Sequence, residues 1–241
     1  MKPATTILFL APILSACIQA QPEKVPMDFW IAEGDRKEQI TPTAADVPYG
    51  EDPLQVLDFW KADSQEPAPL VFFIHGGAWR TNDKDKVAGL REYLPAGISV
   101  VSINYRFAPA ANRAGVKPPV KWPLEDAARA LQFVRSTADE WNIDKSRIGA
   151  SGGSAGGCSS LWLAFHDDMA DPNSADPIAR ESTRVLCAGV VGAQTSLDPR
   201  QMQAWVANIN YGGHAFGFDN VRGDSRAGFR AFLLNRENIL P

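Results

Sequence analysis

Short runs of hydrophobic residues recur along the chain from about residue 55 onward. Residues 70–74 (LVFFI) are apolar at every position, which is typical of a strand buried on both faces of a parallel sheet. Four other short segments also have strand character, namely residues 55–60, 98–105, 147–150 and 184–193. The sequence therefore predicts at least five strands.

Segments with helical character separate these strands. Apolar residues fall at helical spacing between Leu124 and Val134, starting just after Pro123. Further helices are predicted at residues 84–94, 155–169 and 226–238. Strands that alternate with helices favour a parallel sheet joined by right-handed crossovers. We therefore expect an α/β fold with a mainly parallel sheet and helices on both faces.

Composition narrows the function classes. The chain has 241 residues, of which 45% are hydrophobic and 22% charged, which suits one globular domain. A net charge of -4 without a Lys/Arg run gives no basic patch for nucleic acid. The three cysteines show neither a CxxC motif nor a spacing with histidine that suits zinc. We expect no metal, no cofactor and no nucleic-acid partner.

The first twenty residues resemble an export signal. Lys2 precedes a short apolar stretch that ends in small residues before Cys17. Two interpretations stay open: a lipoprotein signal with a lipid anchor on Cys17, or simple cleavage after Ala20. We expect an exported protein, in the bacterial periplasm, anchored to the membrane or extracellular. The domain organisation follows as a signal peptide (1–20), an N-terminal lead-in (21–49) and one α/β domain (50–241).

The strongest chemical signal is residues 147–157, RIGASGGSAGG. It holds two overlapping G-x-S-x-G frames, one centred on Ser151 and one on Ser154. A nucleophilic serine needs a sharp strand-to-helix turn, small neighbours, and a following N–H that opens a helix. Ala155 opens the predicted helix directly, so the pattern favours Ser154.

A second signal is residues 75–79, HGGAW, directly after the buried strand. Glycines let backbone N–H groups approach a negatively charged oxygen without a side chain in between. The loop lies some 75 residues before Ser154, in the order expected for an oxyanion loop and a nucleophile elbow. Gly76 and Gly77 are therefore candidate oxyanion donors.

Three motifs together resemble one branch of the α/β-hydrolases. They are residues 75–79 (HGGAW), 104–109 (NYRFAP) and 152–157 (GGSAGG), with Glu125-Asp126-Ala127 in the helix between. The chain resembles the hormone-sensitive-lipase and feruloyl/acetyl-xylan-esterase-like (BD-FAE-like) branch. The resemblance implies Ser154 as nucleophile and the amides of Gly76, Gly77 and Ala155 as oxyanion donors. It implies a structural role for His75.

The same resemblance implies a catalytic acid and a histidine base after two further strands. Only one strand is predicted after Ser154, so we expect an incomplete domain whose C-terminal strands are missing and whose last strand has a bare edge. Two histidines follow Ser154. His166 lies in the elbow helix and should point away from the site. Asp198 and His214 keep the expected order and are weak candidates for acid and base.

The sequence thus favours a serine carboxylic-ester hydrolase that forms an acyl-enzyme from small acyl esters, including esters on polysaccharide. The partner would be a small-molecule or carbohydrate ester. Two alternatives stay open: a catalytically inactive exported fragment or binding module, and an exopeptidase of the same fold. Trp79 and Trp122 fit equally well as acyl-pocket or core residues.

Overall fold

The computed structural model describes residues 40–206 and 212–218, together with the helical residues 230, 231 and 234. The predicted signal peptide, most of the lead-in and nearly all of the predicted helix at 226–238 lie outside these residues. The domain boundaries at residues 20 and 49 therefore remain predictions.

Six strands form one sheet in the described part of the chain. They are β1 (Ala44–Pro48), β2 (Val56–Trp60), β3 (Ala68–Ile74), β4 (Ser99–Ile103), β5 (Ile143–Gly153) and β6 (Cys187–Val191). The strand order is β1-β2-β4-β3-β5-β6. The pairs β4–β3, β3–β5 and β5–β6 are parallel, whereas β2 is antiparallel to both of its neighbours. The expected mainly parallel sheet is confirmed.

The strands are connected by helices of very different length. These are α1 (Leu90–Tyr93), α2 (Ala108–Arg113), α3 (Lys121–Ser136), α4 (Ala138–Trp141), α5 (Ala155–Phe165) and α6 (Pro199–Trp205), with 3-10 helices at Lys84–Lys86 and Gly213–Phe216. The hydrophobic core contains residues from the buried face of α3, including Leu131, and from the strands, including Phe72 of β3. Pro123 lies in the first turn of α3, where its missing N–H needs no partner.

The helix predicted at residues 84–94 is wrong, because tertiary contacts override its periodicity. The side chain of Lys84 is nearly buried, and its Nζ lies 2.8 Å from an oxygen of Asp46 and 3.2 Å from one of Asp58. Gly89 then has a φ of +82°, which ends any continuous helix. Only a 3-10 helix and one short helical turn form there.

Other elements also differ from the prediction. β5 begins at residue 143 rather than 147, and α5 ends at Phe165 rather than at residue 169. α6 was not predicted, although Asp198 caps it and Pro199 opens it. Asp followed by Pro is an ordinary helix start, because the Asp side chain accepts from the first turn and Pro fits the first helical position.

The sheet topology places a crevice beside β3. The chain passes from β3 to β4 on one side, and then to β5 on the other side of β3. Successive crossovers in opposite directions leave a crevice at the carboxyl ends of the strands, where ligands bind in open α/β sheets. Ile74 of β3 pairs with Gly152 of β5 at this end. Residues that follow these two strands therefore meet in one place.

Candidate active site

Ser154 is the single residue between β5 and α5. Its backbone has φ +52° and ψ −121°, a conformation that L residues rarely adopt. Such a strained residue costs about 1–3 kcal/mol and persists only when its surroundings impose it. Its N–H donates to the carbonyl of Val191 in β6 at 2.8 Å, and the residue is exposed. The turn therefore places Ser154 at the carboxyl end of β5, on the surface.

Glycines on both sides of Ser154 allow the turn to approach β3. A Cβ on Gly152 would lie 2.3 Å from the carbonyl oxygen of Ile74, and a Cβ on Gly156 would lie 2.0 Å from the same atom. Both distances are far inside van der Waals contact, and the atom they meet is backbone. The two glycines are therefore required by the close approach of the elbow to the end of β3.

Ser151, the alternative centre of the motif, lies within β5. Its Oγ donates to the carbonyl of Gly189 in β6 at 2.9 Å. It pairs with that strand rather than occupying the turn. The structure thus places Ser154, and not Ser151, at the junction of strand and helix.

The loop after β3 lies directly on this elbow. Gly77, Ala78 and Trp79 have positive φ values of 99°, 54° and 55° in succession. A Cβ on Gly76 would lie 2.9 Å from the carbonyl oxygen of Gly153 and 3.5 Å from the Cβ of Ser154. Only a glycine at position 76 lets the loop backbone lie this close to the serine.

Three backbone amides in these two segments remain open. Within residues 40–206 and 212–218, the N–H groups of Gly76, Gly77 and Ala155 have no hydrogen-bond acceptor. Ala155 also begins an eleven-residue helix, whose N-terminus favours negative charge. The structure brings Ser154, Gly76 and Ala155 together, with Gly77 next along the loop. When a hydroxyl attacks a carbonyl group, the carbonyl oxygen becomes negative. Neighbouring N–H groups without an acceptor can then stabilise that oxygen by hydrogen bonds.

His75 is held inside the loop. Its ring stacks on Tyr105 at a centroid distance of 4.4 Å, and its Nδ1 lies 2.8 Å from the carbonyl oxygen of Gly76. Burial lowers its pKa, so the ring is neutral near pH 7 and Nδ1 donates its proton to that oxygen. These contacts fit the structural role that the resemblance implies for His75.

Trp79 lies in the core. The side chain is fully buried, and its Nε1 donates to the Oγ of Ser159 at 3.0 Å. Ser159 in turn donates to the carbonyl of Ala155 at 3.0 Å. Trp79 therefore connects the strained loop to the first turn of α5, and of its two sequence-based interpretations the core position is the one observed.

Arg106, in the segment after β4, is bound to Asp126 of α3 by several hydrogen bonds. Asp126 of α3 is almost fully buried and accepts from the Nη2 of Arg106 at 2.6 Å, from its backbone N at 2.8 Å and from the Nε2 of Gln55 at 2.8 Å. The guanidinium of Arg106 lies 4.4 Å above the ring of Trp122. Trp122 is thus a cation–π partner of Arg106.

The candidate acid and base lie on other segments. His166 follows the last residue of α5, roughly 16 Å of helix away from Ser154, and its ring packs 4.2 Å from Trp162. Asp198 caps α6, where its carboxylate accepts from the N–H of Arg200 at 2.9 Å. The ring of His214 lies 5.9 Å from that of Trp79, so this histidine is beside the loop that follows β3.

Two negative findings concern the described residues only. Within them, no cluster of histidine, cysteine, aspartate or glutamate side chains is arranged to hold a metal ion. No helix in the same ranges is long and apolar enough to cross a membrane.

A serine at a strained strand–helix turn, beside a glycine loop at the switch point of a parallel sheet, defines the α/β-hydrolase class. The sequence profile of the BD-FAE family matches residues 57–210, which is more than half of the chain. The chain belongs to this family.

Individual relatives are esterases. The chain is 34% identical over 151 residues to the probable carboxylic ester hydrolase LipM of Mycobacterium tuberculosis, covering 59% of this chain and 32% of LipM. It is 33% identical to the esterase LipC of the same organism over 117 residues, 46% of this chain and 27% of LipC. The chain thus spans about a third or less of these two relatives' length.

A solved structure shares the fold. The acetyl ester-xyloside bifunctional hydrolase of Caldicellulosiruptor lactoaceticus superposes with a TM-score of 0.54 and is 30% identical. The match covers 66% of this chain and 60% of that one.

Proposed function

We propose that this chain is a serine carboxylic-ester hydrolase with Ser154 as its nucleophile. The observation that carries the proposal is the exposed serine between open amides, those of Gly76 and Ala155, at the switch point of the sheet. Family membership supports the ester-hydrolase class.

In the proposed reaction the hydroxyl oxygen of Ser154 attacks the carbonyl carbon of an ester. The carbonyl oxygen becomes negative and accepts hydrogen bonds from the amides of Gly76, Gly77 and Ala155, of which one is typically worth about 2.7–4 kcal/mol in the transition state. The C–O bond to the alcohol then breaks, the alcohol leaves with a proton, and Ser154 carries the acyl group. Water then attacks the acyl carbon, the bond from that carbon to the Oγ of Ser154 breaks, the carboxylic acid leaves, and a proton from the water returns to the serine oxygen.

The serine needs a base to accept its proton. The chain has three histidines; His75 is fixed in the oxyanion loop and His166 lies at the far end of α5. His214, with Asp198 as the acid, is therefore the pair that this chain itself offers. Its position beside Trp79 supports His214 over the other two histidines. Replacing His214 with alanine tests this assignment, because full retained activity would contradict it.

We further propose small acyl groups on carbohydrate as substrates, and export from the cytoplasm. The Caldicellulosiruptor relative supports an acetyl ester of a sugar, and the exposure of Ser154 suits an acyl group carried on a bulky alcohol. Acetylated xylan should release acetate if this proposal holds. Mass analysis of the mature N-terminus separates a lipidated Cys17 from cleavage after Ala20.

The direct test is hydrolysis of p-nitrophenyl acetate by the wild type, by Ser154→Ala and by Ser151→Ala. Both substitutions remove one hydroxyl from the same motif, so Ser151→Ala is a matched control. We expect Ser154→Ala to lose at least about a thousandfold in kcat and Ser151→Ala to keep most of it. Equal activity of the two variants contradicts the proposal. A wild type that cleaves only peptides supports the exopeptidase, and one that cleaves nothing supports the inactive module.

A further inference from the structure

The hydroxyl of Tyr105 lies against two consecutive carbonyl groups of the oxyanion loop. Its oxygen is 2.9 Å from the carbonyl oxygen of His75 and 3.2 Å from that of Gly76. The imidazole Nδ1 of His75 also bonds to the carbonyl of Gly76, at 2.8 Å. Two successive peptide groups are thus held by their oxygens on the same side of the loop.

This arrangement fixes where the corresponding N–H groups point. Both peptide bonds are trans, since the cis bond of the described chain is at Lys117-Pro118. In a trans peptide the N–H is directed opposite to the C=O. The carbonyl of His75 shares its peptide with the N–H of Gly76, and the carbonyl of Gly76 shares its peptide with the N–H of Gly77. Both amides therefore point away from Tyr105.

We infer that Tyr105 is a positioning residue that aims the amides of Gly76 and Gly77 at the oxyanion. The inference rests on the proposed ester-hydrolase function. Tyr105 does not touch substrate, because its side chain is fully buried. It acts through the two carbonyls that it binds.

The surroundings of Tyr105 suit this role. Its ring is held between His75, stacked at 4.4 Å, and Phe107, edge-on at 5.8 Å. Burial raises the pKa of the hydroxyl, so it keeps its single proton and shares it between the two carbonyl oxygens. The residue lies two positions after the last residue of β4, whose register with β3 fixes its distance from the loop.

Tyr49 provides a matched control. Its hydroxyl is also buried and donates to a backbone carbonyl, that of Asn104, at 2.6 Å. Tyr49→Phe removes a hydroxyl that contacts one carbonyl, and Tyr105→Phe removes a hydroxyl that contacts two. Both substitutions leave the ring in place. Only the hydroxyl of Tyr105 reaches the peptides whose N–H groups belong to Gly76 and Gly77.

The test compares kcat and KM for p-nitrophenyl acetate, together with thermal unfolding, in the wild type and the two variants. We expect Tyr105→Phe to lose about 10- to 100-fold in kcat with KM within about twofold of the wild type. Tyr49→Phe should lower thermal stability by a similar amount and keep kcat within about threefold. Equal kcat in the two variants overturns the inference and leaves the proposed function intact.

A second measurement covers the case in which Tyr105→Phe does not fold. Site-specific incorporation of 3,5-difluorotyrosine keeps the ring and makes the hydroxyl a stronger donor. The kcat should then change when the analogue is at position 105 and not when it is at position 49. No change at either position also overturns the inference. A wild type without esterase activity overturns the proposed function itself, and the role of Tyr105 falls with it.

Discussion

The two sides of the nucleophile elbow are built differently. On the β3 side, Gly152 and Gly156 meet the carbonyl of Ile74 so closely that neither tolerates a Cβ. On the β6 side, a Cβ on Gly189 would meet no atom within 4 Å, and Leu186 is 70% exposed. Ser154 and the loop at residues 75–79 therefore lie where close backbone contacts fix the geometry. The candidate acid and base, Asp198 and His214, come from segments after the more loosely packed β6.

The two edges of the described sheet show the same difference. β1 carries a charged Asp46, a Pro48 and a bulge, all features that discourage further strand pairing. β6 (CAGVV) has no charge and no proline, and its described pairing is with β5 alone. The bare, apolar edge expected from the sequence is thus present among the described residues. Within residues 40–206 and 212–218, β1 has features that protect an outer strand and β6 has none of them.

The largest effect on stability should come from the buried carboxylate of Asp126, which binds Arg106 and Gln55. Asp126→Ala leaves the guanidinium of Arg106 and the amide of Gln55 without their buried partner. Breaking such a buried ion pair costs about 3–5 kcal/mol of unfolding free energy. Asp176→Ala is the control, since it removes a solvent-exposed partner of Arg129 and should lower the unfolding free energy far less. Urea unfolding measures the free energy of unfolding of both variants. Comparable losses in the two variants would contradict a special role for the buried carboxylate.

A glycine pair tests the steric difference itself. Gly156→Ala should lower the unfolding free energy by about 3 kcal/mol, because its methyl group must displace the backbone of β3. Gly189→Ala should leave stability unchanged or raise it by about 0.5 kcal/mol, since strand glycines cost entropy. If both substitutions are neutral in urea unfolding, the elbow is not packed as described.

His75 should make stability depend on pH. Burial lowers its folded-state pKa below the usual 6.5, so the unfolded chain takes up a proton first as the pH falls. The unfolding free energy should therefore drop as the pH falls below 6.5. Hydrogen bonds lower the pKa values of the Asp83 and Asp168 carboxyls below the usual 3.8. These two groups therefore change the unfolding free energy at a lower pH than His75 does. His75→Asn should remove the decline seen just below pH 6.5, and its persistence would point to another group.

The smallest effect on stability should come from the open edge. Leu186→Lys places a charge beside β6 and should change the unfolding free energy by less than about 0.5 kcal/mol. It should nevertheless reduce concentration-dependent association, because charge on an edge strand blocks pairing between chains. Leu186→Ile keeps the edge apolar and is the control in sedimentation velocity. Identical profiles for the two variants would show that the edge is covered in solution.

The sequence predicted the parts of the site that depend on local backbone geometry. A serine flanked by glycines between a strand and a helix is typical of a nucleophile, so the pattern alone located Ser154. The glycines directly after a buried strand located the loop at residues 75–79 in the same way. Lys84 could not be placed, because its ion pairs with Asp46 and Asp58 come from distant strands. The same limit hid the contact of Tyr105 with the oxyanion loop. The residue was visible in a family motif, but nothing in the sequence places its hydroxyl on two carbonyls thirty positions earlier.

The central claim is that the hydroxyl of Ser154, beside the open amides of Gly76 and Ala155, is the reactive nucleophile. The most direct measurement is peptide mass mapping after treatment with a fluorophosphonate, which adds a phosphonyl group to an activated serine. The account predicts one adduct per chain, on Ser154, and its absence after Ser154→Ala. An adduct on Ser151 or another serine, or an unmodified chain at saturating reagent, would contradict it.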